Sequence, residues 1–334
     1  HHVQIQKSEN KKKIIYAENI IIATGSKPRT LPNINVDEKI IMTSDGVDHM
    51  KEFPKSMVIV GAGVIGCEYA TIFSNFGKTK VYLIDRSDRI LPFEDHDISD
   101  LISKNLKQKG VIIHKKAQLE RLEMKDGEVE YELSYKDGTK EIIRVEKALL
   151  SVGRKLCIEG LKMENAGVTL SKRGVHIGDI DTQTNIPNVY VVGDASGHIS
   201  LVNVGELEGR YAVERIFSKK YYPINYKNIC TIMFLQPEVA SVGINEKTCI
   251  EENIPVKVVK LDYSCIARAI AMRKTEGFFK IIVSDDDKMK ILGMRAVGEH
   301  ASSAIQGVGL LMKMDKNIQE LAEMVHPHPS IIEG

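Results

Sequence analysis

The chain has 334 residues, enough for two or three domains at roughly 100–200 residues per domain. Its 46 basic and 45 acidic side chains leave a formal charge of +1, so nothing draws it generally to nucleic acid or to an anionic membrane surface. At 43% apolar and 27% charged it is globular rather than disordered, and its five scattered cysteines hold no CxxC or CxxxxC pair, which excludes a disulfide scaffold and a zinc ribbon.

The chain starts at His1-His2 without an initiator Met and stops at Gly334. It is therefore read as a stretch of a longer protein, with no evidence on targeting. Lys13–Tyr16 and Ile20–Ala23 are short β-rich runs, the second ending in Ala23-Thr24-Gly25-Ser26. Met57–Val60 reads as a buried strand, followed at once by Gly61-Ala62-Gly63-Val64-Ile65-Gly66, then by helical character from Cys67 to Phe76 that Gly77 closes. Lys80–Ile84 is the next strand. Asp97–Lys109 repeats apolar residues at Ile98, Leu101, Ile102 and Leu106, a helical spacing that Gly110 ends, and Val111–Ile113 is again strand.

From Gln118 to Val145 short strands alternate with turns at Lys125-Asp126-Gly127 and Lys136-Asp137-Gly138, an antiparallel meander, before the buried strand Ala148–Val152. The pattern is α/β: a doubly wound dinucleotide-binding domain with a β insertion. After a polar stretch at Tyr221–Lys227, short strands at Thr231–Phe234, Val256–Leu261, Phe278–Val283 and Lys290–Val297 and the helix Ala301–Met314 predict a C-terminal α+β unit.

The segment Val58–Glu68 carries the strongest chemical signal. In its GxGxxG, Gly61 permits the tight turn, Gly63 lets backbone approach a pyrophosphate, and Gly66 lets helix and strand pack closely. The free N–H groups of the helix start then favour phosphate. Asp85 follows nineteen residues after Gly66, at the end of the next strand. A carboxylate there accepts from ribose hydroxyls and repels a 2′-phosphate, which favours NAD over NADP, while the neighbouring Arg86 blunts that preference.

A second signal runs from Thr184 to Val189–Asp194, where a buried strand ends in Gly193-Asp194. Two readings stand for Asp194: a strand-end turn, or an acceptor for polyol or ribose hydroxyls at a ligand-binding sheet edge. A third lies in Val325-His326-Pro327-His328-Pro329-Ser330-Ile331-Ile332-Glu333. Ser330-x-x-Glu333 reads as a capping box opening a helix. Either Glu333 only caps, or it also orients His328 as a general base. No third ligand accompanies the His-x-His, so no metal is expected.

These three motifs, in this order, resemble the FAD- and pyridine-nucleotide-dependent disulfide oxidoreductases, and within them the dihydrolipoyl dehydrogenase group. Ile20–Pro32, Pro54-Lys55-Ser56, Ser151-Val152-Gly153-Arg154 and Phe234–Gly243 carry the likeness between the motifs.

The resemblance implies FAD- and NAD-binding doubly wound domains and a C-terminal dimerisation domain. The segments expected are 1–38 and 154–225 for the FAD domain, 39–153 for the NAD domain and 226–334 for the interface domain. It implies NAD on Gly61, Ala62, Gly63, Val64, Ile65, Gly66, Cys67, Glu68, Asp85, Ala117 and Gly153. It implies FAD on Ala23, Thr24, Gly25, Ser26, Asp194, Ser200, Leu201, Val202 and Asn203.

It further implies a homodimer in which His328, held by Glu333, enters the partner's site and takes a proton from a dihydrolipoyl thiol. The thiolate exchanges with an enzyme disulfide, and electrons pass through FAD to NAD. The dithiol is a small molecule or a lipoyl domain, and a 2-oxoacid dehydrogenase complex is the expected setting, in the cytoplasm or a mitochondrial matrix, with no membrane or nucleic-acid partner.

Three departures stand out. The redox CxxxxC and a first FAD GxGxxG are absent from these residues. Asn203 and Gly205 stand where His and Ala are usual, and Leu156-Cys157 where Pro-Asn is common. The alternatives are a glutathione or mercuric reductase-like enzyme, a soluble transhydrogenase and a non-catalytic dinucleotide-binding module. Asp85 argues against the first, and His328 with Glu333 against the mercuric reductase and the transhydrogenase.

Overall fold

A computed structural model describes residues 2–8, 11–171, 174–175, 182–218 and 222–334. At its centre five parallel strands lie side by side in the order Ile41–Met42, Lys147–Leu150, Ser56–Val60, Lys80–Ile84 and Ile112–His114. The inner strands are nearly all apolar because both faces are covered, as parallel sheets require. Met57, Ile59 and Leu83 pack on Ala70, Phe73, Ile98, Ile102 and Leu106 of the crossover helices Val64–Phe76 and His96–Gln108. On the other face Val58, Val60 and Ile84 meet Tyr131, Leu133 and Val145.

Those last residues belong to the meander, three antiparallel strands at Gln118–Lys125, Glu128–Ser134 and Lys140–Val145. Asp126 and Gly127, at φ 54° and 82°, make the two-residue hairpin turn that the sequence predicts. On its outer face Arg121, Arg144 and Lys125 converge on the Glu130 carboxylate, and their hydrogen bonds hold its pKa down to about 2.

From Ser56–Val60 the chain steps twice to one side of the sheet, then returns through the meander to the other side at Lys147–Leu150. The direction therefore reverses between these two neighbouring strands. Their C-terminal ends, at Gly61 and Ser151, border the crevice where open α/β sheets take ligands.

The C-terminal part is a five-stranded antiparallel sheet ordered Thr231–Met233, Val239–Gly243, Ile291–Val297, Phe278–Ser284 and Val256–Asp262. The helix Ala301–Lys313 lays Ile305 and Val308 against Ala240, Val242 and Met294. Both sheets belong to one compact unit, residues 28–153 with 226–334; residues 1–27 and 154–225 form a second. In the second unit Ile20–Ile22 pairs in parallel with Val189–Val191, and the helix Val202–Phe217 follows. Of the polar stretch Tyr221–Lys227, Tyr221 lies outside the described residues. Among the described residues no helix is long and apolar enough to cross a membrane.

Candidate active site

The glycine-rich turn is built from both sides. Gly61, at φ 102°, donates its N–H to Ile84 O at 2.9 Å, and the Ser151 hydroxyl bonds the carbonyls of Val60 and Gly61, each at 2.9 Å. Ala62 N–H donates to Asp85 Oδ2 at 2.7 Å, while Ala62 O accepts from Leu91 N at 2.8 Å. Ala117 N in turn donates to Asp85 O at 3.1 Å, and Gly153, at φ 103°, follows Ser151. So the Gly61–Gly66 turn, Asp85 and Ala117 are brought together at the sheet's reversal point, and Gly153 lies two residues beyond Ser151.

Gly63 is the N-cap of the helix Val64–Phe76 and offers no side-chain cap, so the first-turn N–H groups have no side-chain acceptor there. In front of Gly63 the space is open. A dinucleotide pyrophosphate fits this arrangement.

Two glycines of the motif separate by what a methyl group would meet. At Gly66 a Cβ would overlap the Gly61 carbonyl and crowd Ser151 Oγ, whereas at Gly63 it meets nothing within 4 Å. Gly66→Ala is expected to disrupt the fold of the turn, seen as lost thermal stability. Gly63→Ala is expected to keep the melting temperature and weaken NADH binding by at least about tenfold, about 1.4 kcal/mol, in a titration. Equal behaviour of the two variants would deny Gly63 a ligand role.

Three predicted nucleotide contacts have other partners in the structure. Asp85 spends one oxygen on Ala62 N–H and the other on Ser87 N–H at 2.8 Å, leaving each oxygen one lone pair for a ribose hydroxyl. Glu68 accepts from Phe234 N–H at 2.8 Å. Cys67 is buried, its thiol 3.4 Å from Ala62 O, and burial pushes its pKa up, so it stays a protonated thiol.

In the other unit, Ser26 Oγ donates to Asp194 Oδ2, and Arg154 Nε approaches the same carboxylate oxygen at 3.6 Å while donating to Ser26 Oγ at 2.6 Å. Gly25 O accepts from Cys157 N at 2.8 Å, which fixes the turn after Ala23-Thr24. Gly193 N–H donates to Glu208 Oε2 at 2.6 Å, and Gly205 lies against Gly193 where a Cβ would reach 3.2 Å from its Cα. The residues 200–203 start the sixteen-residue helix Val202–Phe217, whose N-cap Leu201 supplies no side-chain cap. Uncapped N–H groups and a carboxylate at a strand end are the donor and acceptor set that a flavin nucleotide's phosphate and polyol need.

His328 Nδ1 lies 2.7 Å from Glu333 Oε2. Among the described residues the buried Ser330 hydroxyl has no hydrogen-bond partner, the Glu333 carboxylate meets the imidazole, and a turn bond runs from Gly334 N to Ile331 O at 3.3 Å. Ile331 anchors the segment by packing in the C-terminal core.

Sequence reasoning missed Ser151, Arg154 and Glu208. Only Glu208 left a readable trace: it interrupts the buried stripe Val204, Tyr211, Ala212 at helical spacing, and a carboxylate on an apolar face needs a partner.

A family model described as pyridine nucleotide-disulphide oxidoreductase matches residues 1–209, and the dimerisation domain of that family matches residues 229–334. This chain belongs to the pyridine nucleotide-disulphide oxidoreductase family.

It is 34% identical over 323 residues to a dihydrolipoyl dehydrogenase of Bacillus subtilis, covering 96% of this chain and 67% of that protein. It is 35% identical over 322 residues to the dihydrolipoyl dehydrogenase of Chlamydia trachomatis, covering 96% and 68%. Among solved structures, the HOCl-induced flavoprotein disulfide reductase RclA from Escherichia coli superposes with a TM-score of 0.87 at 27% identity, over 100% of this chain and 74% of that one. As a member of the pyridine nucleotide-disulphide oxidoreductase family, it is a flavin-dependent disulfide oxidoreductase using FAD and NAD, with a C-terminal dimerisation domain.

Proposed function

We propose that the enzyme oxidises a dihydrolipoyl dithiol at the expense of NAD, as a homodimer in which His328 of each protomer serves the site of the other. The observation that carries this reading is the 2.7 Å contact between His328 Nδ1 and Glu333. A carboxylate only accepts, so Nδ1 carries the proton and Nε2 keeps its lone pair. That nitrogen is a competent base for a thiol of pKa roughly 8.5–10. The proton moves from the dithiol sulfur to Nε2, and the thiolate left behind is the species able to attack a disulfide. When bound, FAD supplies the redox centre between dithiol and NAD. Asp194, Ser26 and the start of the helix Val202–Phe217 hold it, and the Gly61–Gly66 turn with Asp85 and Gly153 holds NAD.

The relatives' shared name supports a lipoyl substrate and, with it, a 2-oxoacid dehydrogenase complex as the setting. The five free cysteines suit a reducing cytoplasm or matrix. Nucleotide choice rests on Asp85. NADH is expected to bind at least about tenfold tighter than NADPH, because a carboxylate facing a 2′-phosphate costs about 1–3 kcal/mol. Titration giving equal affinities would remove that reading.

The test of the substrate is a panel run with the full-length protein: NAD reduction by dihydrolipoamide, and oxidation of reduced nucleotide by glutathione disulfide or by Hg(II). Turnover with dihydrolipoamide alone supports the proposal. Turnover confined to either of the other two assigns the enzyme to a different member of its family.

A further inference from the structure

The segment Pro92–Asp97 joins the nucleotide turn's loop to the helix His96–Gln108, and side chains and N–H groups of the C-terminal sheet region grip it almost residue by residue. Lys247 Nζ donates to Pro92 O at 2.7 Å and Asn245 Nδ2 to Phe93 O at 2.9 Å. Arg295 Nε donates to Glu94 Oε2 at 3.1 Å, with both side chains buried. Lys247 N–H donates to Asp95 Oδ1 at 2.9 Å, and Lys280 Nζ lies 2.7 Å from Asp95 and 2.9 Å from Asp97.

The grip continues toward the nucleotide. Glu94 N–H donates to Leu91 O at 3.0 Å, and Leu91 N–H holds Ala62 O, the middle carbonyl of the glycine turn. Leu91 itself sits at φ 47°, a conformation a leucine keeps only where its surroundings over-determine it. The Ala62 peptide is thus fixed by Asp85 on its N–H side and by Leu91 on its C=O side, and Leu91 is fixed in turn by a segment that the C-terminal sheet holds. A second tie, Phe234 N–H to Glu68, reaches the nucleotide helix directly.

We propose that Arg295, through Glu94 and Leu91, is a positioning residue for dinucleotide binding: the C-terminal sheet sets the shape of the Gly61–Gly66 turn and so its affinity for the ADP-ribose half of the nucleotide. The inference rests on the reading that this turn binds NAD. Nothing in it requires Arg295 to touch the ligand. It acts by keeping Leu91 in its unfavourable backbone state, where the Leu91 N–H meets Ala62 O.

The probe is ADP-ribose, which occupies such a turn without redox chemistry, titrated calorimetrically into the FAD-loaded full-length enzyme. The variants are Arg295→Met with Glu94→Leu, an apolar pair of similar volume that leaves no buried charge unpaired, and Glu94→Gln, which keeps the shape and one weak acceptor. Gly63→Ala serves as the control that locates the ligand. The proposal expects the dissociation constant to rise at least about threefold in the double variant, within the range that such networks transmit, and less in Glu94→Gln. Flavin absorbance should stay near wild type, while the melting temperature falls in both, because Arg295 also donates to the carbonyls of Val242 and Met294 and Glu94→Gln leaves its buried guanidinium without a carboxylate.

Unchanged affinity in both Arg295/Glu94 and Glu94 variants, with or without a lower melting temperature, overturns it and leaves Arg295 a purely structural residue. Should the double variant fail to fold, Glu94→Gln decides alone. Wild-type enzyme that does not bind ADP-ribose, or binds it equally in Gly63→Ala, overturns the nucleotide reading itself, a different failure from loss of the Arg295 effect alone.

Discussion

His328→Gln in the full-length enzyme is expected to slow dihydrolipoamide oxidation by about 10²–10⁴, the scale of a lost general base, while NADH-driven reduction of an artificial acceptor survives. The two halves separate because the imidazole acts on the dithiol proton alone. Its neighbours make the case specific. The Glu333 carboxylate meets the imidazole, and Glu333→Gln should cost less than His328→Gln because an amide oxygen still accepts from Nδ1. Steady-state rates with each substrate check this. Near-normal dithiol turnover in His328→Gln would remove the base from the mechanism.

Lys280→Met is expected to destabilise the protein by about 3–5 kcal/mol, the cost of stripping a buried charge of its partner. Lys280 is 2% exposed, and Asp95, its nearest partner, 3%. Burial alone would lower the lysine pKa, but its bonds to Asp95 and Asp97 outweigh that and hold it above the usual value. Burial likewise acts to raise Asp97, and the bonds from Lys280 and Lys260 outweigh it and hold it below.

The signs fix the pH window. The raised lysine contributes fully below its unfolded pKa of about 10.4 and loses its contribution as pH rises through the folded value. The depressed aspartate contributes above its unfolded pKa of about 3.9 and loses its contribution as pH falls through the folded value. Denaturant titrations from about pH 5 to 9 should therefore show a constant gap between wild type and Lys280→Met, narrowing in stronger acid. A gap below about 1 kcal/mol at neutral pH would mean that the pair is an ordinary surface bridge.

The glycine turn, the two crossover helices and the meander were legible in the sequence because each rests on local physics. A buried parallel strand has to be apolar on both faces, a helix repeats at 3.6 residues, and Asp126-Gly127 prefers positive φ. The terminal segment was legible only in part. Ser330-x-x-Glu333 satisfies a local capping pattern, which by itself does not say whether the carboxylate also reaches His328, as it does. Glu68 and Asp85 show the limit from the other side. Their spacing marks a nucleotide site, yet Phe234 and Ala62, remote in sequence, take part of their hydrogen-bonding capacity. Lys280 and Arg295 were invisible because a lone basic residue in a strand gives no sign of the carboxylates that tertiary folding brings to it from residues 94–97.

Anaerobic mixing of the full-length, FAD-loaded enzyme with dihydrolipoamide, followed by NAD, tests the central claim most directly. The account predicts that the flavin absorbance bleaches with the dithiol and returns on addition of NAD as NADH forms, and that His328→Gln slows the first phase and leaves the second unchanged. A flavin that NADH bleaches but dihydrolipoamide leaves oxidised would contradict it.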